Sequence, residues 1–293
     1  MIAVRRLLLA AGLLASAPVA AEEPRVLALG GAVTETAYAL GAGGALVGSD
    51  LTSIYPQAAE KLPKVGYVRA LGAEGLLSLR PTLVLASADA GPPAALEGVG
   101  AAHVPVVTLP EAHTAEAALD RVRLVGEALH RPDEAAAMMA AMRADLDQVA
   151  ADVKAAGVKA GSRPVRVLFL LSAGRGAPMA AGTGTAAAAM LQLAGAVNAV
   201  DGYAGYKPLS AEAVLLAAPD TVLTTTQTLD AAGGEAGIRD AVPGLDRNTK
   251  VIAFEGLFLL GFGPRLAQAQ HDLAVALHPA APIRPLPPRP WAG

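Results

Sequence analysis

Short, nearly continuous apolar runs recur along this chain at Val26–Leu29, Val104–Val107, Val165–Leu171 and Val251–Phe254. They are too short for helices and do not alternate with polar residues, so they read as strands buried on both faces. The stretches between them carry apolar residues at helical spacing. Strand and helix taking turns in this way predict parallel sheets covered by helices on both sides.

One part of the pattern occurs twice. Leu71-Gly-Ala-Glu74-Gly-Leu-Leu-Ser-Leu-Arg-Pro81-Thr-Leu-Val-Leu85 returns 138 positions later as Leu209-Ser-Ala-Glu212-Ala-Val-Leu-Leu-Ala-Ala-Pro219-Asp-Thr-Val-Leu223. At nearly the same spacing Arg25-Val-Leu-Ala-Leu29 is echoed by Arg166-Val-Leu-Phe-Leu170. The period is far too long for a solenoid unit. It predicts two similar lobes with a ligand-sized cleft between them. Within each copy a small residue caps a helix, Glu74 or Glu212 falls in the first turn where the helix dipole favours a carboxylate, proline ends the helix, and a buried strand follows.

The ends and the middle differ from this pattern. Arg5 and Arg6 precede an apolar run and then Val19-Ala20-Ala21, so residues 1–21 are expected to be a cleaved export segment. The expected division is an N-terminal α/β lobe over 22–112, a connecting helical region over 113–160, a C-terminal α/β lobe over 161–279 and a proline-rich tail over 280–293. The connector breaks at Arg131-Pro132, and its second part is long enough, at roughly 36 Å, to act as a stiff strut between lobes. The tail, with Trp291, is expected to be an extended or disordered appendix away from any site.

Composition narrows the classes. The chain has no cysteine, so neither a disulfide framework nor a lipid-attachment thiol is available despite the export signal. No stretch after the leader is long and apolar enough to span a membrane. A formal charge of −3 gives no support to nucleic-acid binding, and a monomer is expected.

Gly66-Tyr67-Val68-Arg69 stands just before the first copy of the repeat, in a loop that faces the cleft of a parallel sheet. A tyrosine there can be a packed ring. With Arg69 two residues away it can also be a phenolate, because a nearby cation favours that form, and a phenolate is a hard ligand for ferric iron, including haem iron. Gly182-Thr-Gly184-Thr185 lacks the lysine of a phosphate loop and reads as a tight turn, or as backbone donors for a ligand carboxylate. His103, His113, His130, His271 and His278 form no closely spaced ligand pair. No nucleophile-elbow motif gives hydrolase chemistry a foothold.

The mature chain resembles the periplasmic haem-binding proteins of bacterial haem ABC importers, a branch of the helical-backbone binding proteins that also serve cobalamin and ferric siderophores. The resemblance is carried by Gly66-Tyr67-Val68-Arg69 and its continuation to Pro81, by Ala181-Gly182-Thr183-Gly184-Thr185 with Leu193-Ala-Gly195-Ala-x-Asn198, by Gly205-Tyr206-Lys207-Pro208 running into Glu212, and by Gly256-Leu-x-Leu-Leu-Gly261-Phe262-Gly263-Pro264-Arg265. It implies a non-enzymatic periplasmic carrier that takes haem b (hemin) in the interlobe cleft, with Tyr67 as axial ligand and Arg69 as its partner. Glu74 and Glu212 would then dock on the two subunits of an inner-membrane permease dimer with its ATPase. The loop from Ser172 to Pro178 holds no histidine, so a second axial ligand is not expected from it. Tyr206, Lys207, Arg239, Phe258 and Phe262 are candidate wall or propionate contacts. A corrinoid or siderophore carrier, and an exported α/β enzyme, are the competing readings.

Overall fold

The computed structural model describes residues 24–292 apart from 112, 158–162 and 175, so the export segment expected over 1–21 lies outside the described residues. The N-terminal lobe runs β1 (Val26–Leu29), α1 (Gly31–Ala39), β2 (Leu46–Ser49), α2 (Gln57–Glu60), α3 (Ala73–Ser78), β3 (Leu83–Ser87), α4 (Pro93–Ala101) and β4 (Val106–Leu109). Its four strands form a parallel sheet in the order β2-β1-β3-β4. Alternate residues of β1 and β3 feed two separate cores: Val26, Ala28 and Leu85 on one face, Leu27, Leu29, Val84 and Ala86 on the other. That is why the strand sequences are apolar without alternation.

Two helices follow, α5 (Ala115–Ala128) and α6 (Pro132–Gly157). Thr114 caps α5 by accepting a hydrogen bond from the Ala117 N–H. The 26 residues of α6 span about 39 Å. Its first half places Met138 and Met142 in the N-terminal core, and its second half places Leu146 and Val149 in the C-terminal core. The expected strut between lobes is therefore present.

The C-terminal lobe runs β5 (Arg166–Ser172), β6 (Met179–Ala181), α7 (Ala186–Leu193), β7 (Val197–Asn198), β8 (Tyr206–Pro208), α8 (Ala211–Ala217), β9 (Thr221–Thr225), α9 (Thr226–Ala232), α10 (Glu235–Ala241), β10 (Lys250–Phe254), α11 (Gly256–Leu260) and α12 (Leu266–Leu277). Its sheet is mixed rather than parallel: β10, β9, β5 and β7 pair in parallel, while β6 and β8 run antiparallel at the other edge. The repeat survives in backbone geometry. Arg80 and Ala218, each just before the proline that ends its helix, both take positive φ, 48° and 38°.

The tail departs from expectation. Residues 280–292 have no regular secondary structure, but they are packed: Ile283 and Leu286 lie on the C-terminal core and Trp291 on the N-terminal core.

Candidate functional site

The lobes meet at a cleft of about 710 Å³, the size of a small-molecule site. It opens at the C-terminal ends of the parallel strands, where loops of both lobes converge. Leu51, Ile54 and Tyr67 line it from the first lobe, and Leu171, Leu257 and Leu260 from the second. The lobes touch behind it. A Cβ on Gly31, at the start of α1, would lie 2.7 Å from Leu257 of the opposite lobe and 2.6 Å from the Thr52 carbonyl oxygen, so this approach requires glycine.

Tyr67 is held by its backbone and leaves its ring to the cleft. The Gly66 carbonyl accepts from the Leu51 N–H (2.9 Å), the Val68 carbonyl from the Gly91 N–H (2.8 Å), and the Tyr67 carbonyl from the Ala70 N–H (2.7 Å). Gly66 has φ 118°, which a side chain would strain, and Val68 is buried. Tyr67 is 46% exposed. Arg69 also lines the cleft, but its Nη2 donates to Asp89 (2.8 Å), whose other carboxylate oxygen accepts from the Ser87 hydroxyl (2.6 Å). Its charge is thus shared with Asp89 rather than reserved for Tyr67.

Tyr206 lines the opposite wall. Burial pushes its phenol up from the ordinary value, with smaller opposing influences from Thr185, the Ala187 backbone and the more distant charge of Arg69. It therefore remains a neutral hydroxyl near the start of α7, where Thr185 is the cap.

Four other candidates lie elsewhere. Lys207 is on the opposite face of β8 from Tyr206, as neighbouring strand residues must be, and its ammonium sits 5.2 Å from the centre of the Tyr203 ring. Phe262 is 1% exposed inside the C-terminal core. Phe258 packs against that core, with Phe254 at 6.3 Å and the Arg265 guanidinium at 5.2 Å; its helix turns Leu257 and Leu260 to the cleft instead. Arg239 is bound to Glu235 and to the carbonyls of Asp246 (3.1 Å) and Thr249 (2.7 Å), at the end of β10 remote from the cleft. None of the four is a cleft wall.

The cleft floor contains residues that sequence reasoning did not select. His113, one of the five histidines that form no closely spaced ligand pair in the sequence, lines the cleft, with its ring edge-on to Phe262 at 6.1 Å and Nε2 3.4 Å from Glu111. Arg121 is nearly buried and donates through Nη1 to the carbonyls of Gly261 and Phe262, both at 3.1 Å. Burial lowers its pKa to about 10 against the pull of Asp89 and Glu35, and its Nε has no hydrogen-bond partner among the described residues. The spacing to helix α5 carries no signal that would have found either residue.

Behind the floor, Glu35 of α1 and Arg265 at the start of α12 form an interlobe ion pair with both guanidinium–carboxylate distances at 2.9 Å. Arg265 also lies over the Tyr55 ring at 3.6 Å. Burial pushes the Glu35 carboxyl up, opposed by the hydrogen bonds and charge of Arg265.

Glu74 and Glu212 are exposed in the first turns of α3 and α8. The side-chain cap of α8 is Ser210, which accepts from the Ala213 N–H, and α3 starts at Gly72 without one. Among the described residues no helix is long and apolar enough to cross a membrane, and no group of three or more His, Asp or Glu is placed to hold a metal ion.

Comparison with known proteins gives this architecture a family. Residues 26–248 match the periplasmic binding protein family. The fold is similar to the periplasmic haem-binding protein RhuT from Roseiflexus sp. RS-1 in apo form, with TM-score 0.83 and 36% identity over 88% of this chain and 99% of that one. It is also similar to the periplasmic haem-binding protein BhuT in complex with two haems, with TM-score 0.79 and 45% identity over 87% and 98% of the two chains. An uncharacterised ABC transporter substrate-binding lipoprotein, YvrC of Bacillus subtilis, is 25% identical over 88% of this chain and 81% of its own length. A vitamin B12-binding protein of Yersinia pestis is 33% identical over 111 residues, 38% of this chain and 39% of its own. With two α/β lobes, a strut helix, an interlobe cleft and a family match over most of its length, this chain belongs to the periplasmic binding protein family, and it is a substrate-binding protein rather than an enzyme.

Proposed function

We propose that the protein binds haem in the interlobe cleft as transported substrate, with the Tyr67 oxygen on the ferric iron, and delivers it to an inner-membrane ABC permease dimer coupled to its ATPase. The observation that carries this reading is the placement of Tyr67: a half-exposed phenol, fixed by its backbone, at the edge of a cleft whose walls supply Leu51, Ile54, Leu171, Leu257 and Leu260. Aliphatic walls suit the faces of a porphyrin, and an oxygen donor suits ferric iron. Similarity to solved haem-binding proteins over nearly their full length supports the same ligand class. Tyr206 is a poor rival as ligand because its burial disfavours the phenolate. His113 is engaged with Glu111 and Phe262, so a five-coordinate, high-spin ferric haem with one protein ligand is expected.

Delivery rests on Glu74 and Glu212. Two equivalent carboxylates on two related lobes suit a partner with two equivalent basic subunits, and both stand exposed on first helical turns. The partial likeness to a vitamin B12-binding protein favours a corrinoid as the second reading.

One absorption experiment decides between them. Purified protein mixed with hemin should develop a haem–tyrosinate spectrum, and aquocobalamin should leave its own spectrum unchanged. Tyr67→Phe keeps the ring and deletes the donor, so it should abolish that spectrum or weaken binding at least tenfold. Hemin binding by Tyr67→Phe with unaltered spectrum and affinity would remove Tyr67 as ligand, and saturable cobalamin binding in place of hemin would establish the corrinoid reading.

A further inference from the structure

The proline-rich segment after α12 follows a defined course across the back of the molecule. Arg284 reaches Asp152 near the end of α6 (2.9 Å), the carbonyls of Arg284 and Pro285 accept from Gln148 one turn earlier (3.3 Å each), and Arg289 clasps Asp145 through two hydrogen bonds (2.8 and 2.7 Å). As the tail number rises the α6 number falls, so the segment runs antiparallel to the strut, from the C-terminal lobe to the N-terminal lobe. Asp145 is almost fully buried, so the Arg289 pair is more than a solvated surface contact. The far end is anchored as well. Trp291 packs on the N-terminal core, and its carbonyl accepts from the Tyr55 hydroxyl (3.4 Å), whose ring lies under the Arg265 of the interlobe ion pair. Proline at 282, 285, 287, 288 and 290 restricts φ along this course and stiffens it.

We propose that residues 282–291 are an interlobe strap: with α6 they form a two-member brace that fixes the angle between the lobes, making Arg289 and Trp291 positioning residues for the cleft although neither touches it. A single helix joining two lobes can bend or twist. A second, antiparallel member fixed to both lobes and to the helix opposes both motions, and it also supports Tyr55 against the Glu35–Arg265 pair.

The test reads lobe geometry in the ligand-free protein, so it is independent of the proposed haem function. The chain has no cysteine, so spin labels at Glu97→Cys on α4 and Asp240→Cys on α10, one per lobe, give an interlobe distance distribution without background. Wild type should show one narrow distribution. Trp291→Ala with Arg289→Gln should broaden it at least twofold while the circular dichroism of the folded protein is kept. Arg284→Gln removes an exposed side chain, keeps the fold and should broaden the distribution less. Unchanged distributions in the folded variants would overturn the strap. Should the double variant not fold, an unchanged distribution in Arg289→Gln alone overturns it equally.

Discussion

Replacing Glu35 by Leu tests how the two lobes are held together behind the cleft. The carboxylate is 3% exposed and takes hydrogen bonds from Arg265 Nε and Nη2, both 2.9 Å, and from the Arg265 N–H at 3.3 Å. The Arg265 side chain is 11% exposed, so Glu35→Leu leaves a buried guanidinium without its counter-ion. The expected cost is about 3–5 kcal/mol. Arg265→Met should cost a similar amount, because it strands the carboxylate and also removes the cation from the Tyr55 ring, a contact worth about 0.5–2 kcal/mol. In the double variant no charge is left unpaired, and the loss should shrink to about 1–2 kcal/mol. Urea unfolding at neutral pH followed by circular dichroism gives all four corners of the cycle. The pH dependence has a definite sign. Burial raises the Glu35 carboxyl above 4.5, so between that value and the raised one the native state holds a proton that the unfolded chain has released. Stability from this site therefore falls as pH rises through that window, and Glu35→Leu should lack that slope. A single-variant cost below about 1 kcal/mol, or a double variant that loses the full sum, would refute the account of a desolvated, mutually dependent pair.

Tyr206→Phe should leave the hemin spectrum and its pH titration as in wild type, because burial keeps the Tyr206 phenol neutral; a changed spectrum would make Tyr206 an iron ligand. Phe262→Ala should cost about 3–5 kcal/mol in denaturant unfolding, since the ring is enclosed in the C-terminal core, whereas Arg239→Ala should leave hemin affinity unchanged in a spectroscopic titration because its contacts lie at the far end of β10. Charge reversal at both Glu74 and Glu212 should abolish haem uptake into permease-containing vesicles with hemin affinity and melting temperature near wild type, and normal uptake by the folded double variant would end the docking reading.

Much of the architecture was written locally. Apolar runs without alternation identified the buried strands, the duplicated segment identified two related lobes, and Arg131-Pro132 marked the break before the strut helix, because each depends on periodicity or backbone restriction within a few residues. The Gly-bounded Tyr67 loop was legible for the same reason: Gly66 supplies a positive φ that turns the chain at the strand ends. What only the tertiary structure decided was the direction of side chains and the meeting of distant segments. Tyr206 faces the cleft and Lys207 does not, because the pairing of β8 with β6 sets which face each takes. Phe258 and Phe262 turned inward, while Leu257 and Leu260 of the same segment faced the cleft. Arg121 reached the floor because α5 packs against both cores, and His113 lies there just ahead of that helix. Glu35 found Arg265 across 230 positions, and a tail that reads as a loose appendix became ordered once Asp145 and Asp152 of α6 stood opposite its arginines. Contacts of this kind depend on how whole lobes pack against one another, and no local pattern in the chain encodes them.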